Sequence, residues 1–162
     1  MGSLWALGAL GGAGGGLAGC TRPSPAPDFD YTLLDGTRAH STGLRGKVRM
    51  VSFWATSCAI CMREMPQLVA THRRYVGQPF ELLAVAMAYD PPANVARVAE
   101  SRRLPFGVVI DNTGAIARAF GDVRGTPTHV LIDRQGLIVR RIEGAPDFAA
   151  LHGLIDGLLT TA

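Results

Sequence analysis

Cysteine is scarce in this 162-residue chain: three residues, Cys20, Cys58 and Cys61. So few exclude a small scaffold held together by several disulfides, and the odd count separates a close pair from one remote residue. Charge is also sparse. Only 18% of residues are Asp, Glu, Lys or Arg, and the formal net charge is +3. There is no Lys/Arg block and no basic stretch interleaved with aromatics, so a nucleic-acid-binding surface is not expected. Arg73-Arg74, Arg102-Arg103 and Arg140-Arg141 are isolated pairs at element ends. What the chain has instead is an apolar content of 48%, enough to bury the core of one ordinary domain.

Residues 1–19 contain no charged side chain. They are too short and glycine-rich for a transmembrane helix, which needs about 20 mainly apolar residues. They fit the apolar region of a secretory leader, with small residues before a cleavage point. Leu17-Ala18-Gly19-Cys20 resembles a bacterial lipobox. That resemblance implies cleavage before Cys20 and acylation of its sulfur and amino group, which would hold the protein on a membrane surface. The absence of Lys or Arg before the apolar part departs from the usual leader. Residues 20–28 are proline-rich and expected as an extended or disordered linker. The domain, expected over 29–162, would then lie outside the cytoplasmic membrane, on the periplasmic side, where disulfide chemistry is possible.

Within the domain, Tyr31–Leu34 and Thr37–His40 flank Asp35-Gly36 as two short strands. Val48–Trp54 is a buried strand. Cys58–Tyr75 has helical spacing, with Ile60, Met65, Leu68, Val69 and His72 on one stripe and Pro66 inside it. Phe80–Ala88 is a central strand, followed by a helix from Asp90-Pro91-Pro92 to about Arg103. Phe106–Ile110 is a strand and Asp111–Phe120 a short helix. Thr128–Asp133 and Leu137–Ile142 form a hairpin, and Asp147–Leu159 is a final helix weakened by Gly153 and Gly157. This alternation gives an α/β fold: a mixed sheet with helices on both faces and extra N-terminal strands.

Cys58 and Cys61 follow a buried strand and open a helix. The free N–H groups of a helix N-terminus favour an anion, so Cys58 is expected to be partly thiolate near neutral pH. Cys61 lies one turn deeper on the same face, placed to attack a mixed disulfide at Cys58. Other readings of the pair are a structural disulfide or half of a metal site. Zinc needs about four ligands, and the scattered histidines supply no second half.

The segments "VSFWATSCAICMREMPQL", "ELLAVAM" and "GTPTHVLIDRQGLIVRRIEG" resemble the TlpA/ResA-type branch of the thioredoxin-like family, over roughly residues 29–160. The resemblance implies a thioredoxin-like fold and a thiol–disulfide oxidoreductase, with no cofactor beyond the dithiol. It implies that Pro127 is a cis-proline facing the dithiol and that the Thr126 backbone pairs with substrate. Glu64 matches a partly buried glutamate that exchanges a proton with the second cysteine. Ser57 stands where the family usually has tryptophan, which bears on partner choice. Ser52 replaces the buried aspartate of cytosolic thioredoxins, leaving proton management to Glu64. His129, two residues after Pro127, can face the same side and is held as a tuner of the site. The resemblance also implies exported thiol proteins such as apocytochrome c as substrates, a membrane electron donor, and a monomer. SCO-type copper delivery requires CxxxC, and peroxiredoxins require a threonine where Ala55 stands. A thioredoxin-like binding or metal-delivery module is the alternative.

Overall fold

A computed structural model describes residues 24–161; the leader and Cys20 lie outside the described residues. Two short strands come first, β1 (Ser24–Pro25) and β2 (Asp30–Thr32), then β3 (Arg38–His40) and β4 (Val48–Trp54). The order continues α1 (Ala59–Arg74), β5 (Phe80–Ala86), α2 (Pro92–Ser101), β6 (Gly107–Ile110) and α3 (Ala115–Ala119). It closes with β7 (Thr128–Ile132), β8 (Leu137–Glu143) and α4 (Phe148–Thr160).

β4 is the organising strand. All seven of its residues are buried, because it is paired on both edges and covered on both faces. It runs parallel to β5 and antiparallel to β7, within the order β1-β8-β7-β4-β5-β6. Alternation along β4 divides the interior into two cores. Val48, Met50 and Trp54 pack with Met65 and Leu68 of α1, Val95 of α2, and Leu151 and Ile155 of α4. Val51 and Phe53 pack on the other face with Ile116 of α3 and with Phe120 and Val123. Phe29, Tyr31 and Leu33 cover that second core, so the β2–β3 hairpin serves as a lid on it. The sheet is therefore mixed, with helices on both faces, as expected.

Three sequence expectations change. First, the linker stretch reaches into the sheet. Ser24 and Pro25 pair antiparallel with Ile138 and Leu137 of β8, an edge position that tolerates proline. Second, Ile60 is not on the buried stripe of α1: it is 39% exposed. The buried face runs through Cys61, Glu64, Met65, Leu68 and Thr71, keeping Met65 and Leu68 of the expected stripe and adding polar residues that an apolar-only reading leaves out. Third, the helix expected from Asp111 begins four residues later. Asp111 stays buried, and its carboxylate accepts the backbone N–H of Ile116 (3.2 Å) and Ala117 (2.8 Å), capping α3 from a distance.

Pro66 sits inside α1 without a break. Proline has no N–H to donate to the carbonyl four residues earlier, here Met62. Arg102, just past the end of α2, donates its Nη1 to that carbonyl at 2.8 Å. The freed acceptor is thus satisfied from a neighbouring helix.

Candidate active site

The C-terminal end of β4 delivers the chain into a tight turn, Ala55–Ser57, and then into α1. Asp90, 3% exposed, anchors this turn. Its two carboxylate oxygens accept the Thr56 backbone N–H (2.6 Å) and the Thr56 hydroxyl (2.5 Å). Asp90 follows the parallel strand β5, at the end of the sheet where α/β proteins build their sites. From the sequence, Asp90 marks only the end of a strand and the start of a helix. An acid four residues past a buried parallel strand was the available signal.

Cys58 is the N-cap of α1, and its Sγ accepts the Cys61 backbone N–H at 3.1 Å. The sulfur therefore occupies the position where a helix N-terminus stabilises negative charge. Cys58 and Cys61 form a disulfide with Cα atoms 5.3 Å apart. Their environments are unequal. Cys58 is half-buried, whereas Cys61 is 0% exposed. The first cysteine is partly open to solvent and the second is closed to it.

The Thr126–Pro127 peptide is cis, and the Thr126 carbonyl oxygen lies 3.4 Å from Cys58 Sγ. Two anchors hold this loop: the Thr128 hydroxyl donates to the Gly125 carbonyl at 2.8 Å, and the Gly144 N–H donates to the Pro127 carbonyl at 2.8 Å. The fold thus brings together residues 68 positions apart. Ser57 is exposed beside Cys58.

Glu64 is 5% exposed on the same face of α1 as Cys61. Its Oε1 lies 3.2 Å from Nε2 of His129, and His129 Nδ1 lies 3.0 Å from Ser52 Oγ. The sequence puts Glu64 one turn from Cys61 and His129 two residues after Pro127; the fold pairs them and joins Ser52 to the pair. Among the described residues, no group of three or more His, Cys, Asp or Glu side chains is arranged to hold a metal ion. No helix among them is long and apolar enough to cross a membrane.

An α/β domain with a cysteine pair on a helix N-terminus, one sulfur accessible and one buried, facing a cis-proline loop, defines a thioredoxin-like thiol–disulfide oxidoreductase. Residues 22–154 match the Redoxin family, and the chain belongs to it, within its ResA-type oxidoreductases. It is 39% identical over 121 residues to the thiol-disulfide oxidoreductase ResA of Geobacillus thermodenitrificans, covering 75% of this chain and 68% of that one. It is 29% identical over 133 residues to ResA of Bacillus subtilis, covering 82% and 73%. Among solved structures, the thiol:disulfide interchange protein of Chlorobium tepidum superposes with a TM-score of 0.78 at 29% identity, covering 85% of this chain and 97% of that one.

Proposed function

We propose that this oxidoreductase is a membrane-tethered, extracytoplasmic reductant of disulfides in exported proteins, with apocytochrome c among its substrates. The observation that carries the direction of attack is the unequal burial of the two sulfurs. In the reduced enzyme the Cys58 thiolate, held by the Cys61 N–H, attacks a substrate disulfide, and one substrate sulfur leaves as thiolate. The Thr126 carbonyl beside Cys58 supports extended pairing with the substrate backbone on the Pro127 loop. Cys61 then loses its proton to Glu64, attacks Cys58 Sγ and expels the second substrate sulfur. The substrate gains two electrons, and the enzyme is left with the Cys58–Cys61 disulfide.

A membrane electron donor restores the dithiol, and no bound cofactor is required. Ser57 leaves an open surface beside the attacking sulfur where the family's usual tryptophan would stand, and it contributes to partner choice. Cys20 carries the lipid anchor, the protein works as a monomer on the periplasmic side, and it does not bind nucleic acid.

The test is covalent trapping in native membranes. Cys61→Ser should accumulate mixed disulfides with substrates on Cys58, separable on non-reducing gels and identified by mass spectrometry. Cys58→Ser should accumulate none. Trapping by both variants, or by neither, would overturn the assigned roles. Cytoplasmic proteins as the sole trapped partners would overturn the location.

A further inference from the structure

Beneath the dithiol lies a polar chain that crosses the core from helix to sheet. Glu64 on α1 and His129 on β7 are each almost completely buried, with side-chain exposures of 4% and 1%. Glu64 Oε1 and His129 Nε2 approach to 3.2 Å. Neither Glu64 oxygen nor His129 Nε2 has an aligned hydrogen-bond partner among the described residues. A buried carboxyl group and a buried ring nitrogen with unused hydrogen-bonding capacity are costly to keep. Their position one helical turn below Cys61 supplies a reason.

The surroundings isolate the pair. Ser52 of β4 sits beside Ala84 of β5 on one side and His129 on the other. His129 is flanked in turn by Ile142 of β8. α4 contributes Leu151 and Ile155 to the same core. The ionisable groups of α4 are engaged elsewhere: His152 with Thr71 Oγ1 at 2.9 Å, and Asp156 with Tyr75 and Arg74. Asp90 is occupied by Thr56. From α1, the other groups facing this region are Cys58 and Cys61 themselves.

We propose that His129 is the positioning and proton-sharing partner of Glu64, and that the Glu64–His129 pair, anchored by Ser52, holds the proton that Cys61 releases when it attacks the mixed disulfide. This rests on the resolving role proposed for Cys61. With Nδ1–H donating to Ser52 Oγ, the Nε2 lone pair faces Glu64. The Cys61 S–H bond breaks, and its proton is shared between carboxylate and imidazole. The sulfur's electron pair forms the bond to Cys58 Sγ, and the bond from Cys58 to the substrate sulfur breaks with its electrons on the substrate. Before uptake the pair is a carboxylate beside a neutral imidazole; once it takes the Cys61 proton it has no net charge, whether as carboxyl and imidazole or as carboxylate and imidazolium, and the imidazole gives that proton a second site.

The experiment uses the reduced full-length chain and oxidised glutathione as the probe disulfide, with release of the second glutathione thiol followed by stopped flow across pH. His129→Gln is expected to slow release by about tenfold near neutral pH and to shift the pH profile, less than the usual effect of removing a proton-transfer group because Glu64 remains as an acceptor. In a Glu64→Gln background, His129→Gln should have no further effect, because the two act as one unit. A parental pH profile in His129→Gln, or independent effects that multiply in the double variant, would overturn the proposal. Because a buried strand substitution can unsettle the fold, the parent is also read directly. In the reduced state, the ¹⁵N ring signals of His129 should shift with pH in the parent along with the Cys61 thiol, and lose that coupling in Glu64→Gln. A His129 ring that never responds would overturn the pairing. Release of the second glutathione that persists in Cys61→Ser would instead remove the resolving role itself, and the proposal with it.

Discussion

Asp90 and Thr56 show how much one pair of side chains holds in place at the residue scale. The carboxylate fixes both the backbone and the hydroxyl of the residue two positions before Cys58. Asp90→Ala leaves both donors to be satisfied by water at a half-buried site. The expected cost is about 1–3 kcal/mol of stability, measured by urea unfolding. Exchange at Cys58 should slow by about tenfold, because the attacking sulfur is less well positioned. A conservative Asp90→Asn should recover most of the stability. Little of this pairing was legible beforehand. The dithiol, Pro127 and Glu64 stood out through spacing and motif, but Asp90 acts through a residue 34 positions away. The same holds for Glu64 and His129: strand alternation turns His129 toward the site, yet only the fold sets it opposite Ser52 of β4 and against Glu64 of α1.

Element-scale features follow from how each helix satisfies its own backbone. α4 begins well: Asp147 accepts the N–H groups of Ala149 and Ala150 through its side chain. It then carries Gly153 and Gly157 on its exposed side, and a methyl group added at either meets no atom within 4 Å. The glycines cost helix stability without a packing reason. Gly153→Ala and Gly157→Ala should therefore each stabilise the protein by about 0.5–1 kcal/mol, read as a raised urea midpoint with an unchanged slope. The strands β4 and β5 were legible as mostly apolar runs, broken only by Arg49 and Ser52 in one and Glu81 in the other, because burial on both faces leaves little polar alternation to find. α1 was harder. Its buried face includes the polar residues Glu64 and Thr71, and a stripe sought among apolar residues drifts to Ile60 instead. β1 carries no side-chain signal at all. It exists because β8 offers an open edge.

For the whole molecule, the titration of half-buried histidines sets one response to acid. Burial lowers the pKa of His72 and of His152 below the usual histidine value. The unfolded chain therefore takes up protons at a higher pH than the folded one does. Stability should fall as pH drops from about 6.5 toward the folded values, and the loss then stays at its full extent below them. A His72→Gln/His152→Gln double variant should flatten the urea midpoint between about pH 7 and pH 5, relative to the parent. The depressed carboxyl of Asp156, hydrogen-bonded by Tyr75 and Arg74, acts in a separate and lower window. Its stabilisation is present above the ordinary aspartate value and is lost as pH falls through the folded one.

The atom that caps α1 is also the atom that exchanges electrons. In the dithiol form the Cys61 N–H faces a sulfur that can carry a full negative charge; in the disulfide it faces a neutral one. The first turn of the helix is therefore held more or less firmly according to the oxidation state of its own cap. By the closed thermodynamic cycle linking folding to reduction, whatever the cap adds to the folded dithiol, and not to the unfolded chain, is added equally to its hold on electrons. The firmer the helix end in the dithiol form, the weaker the protein is as a reductant: one quantity, seen once as conformation and once, with opposite sign, as reducing power.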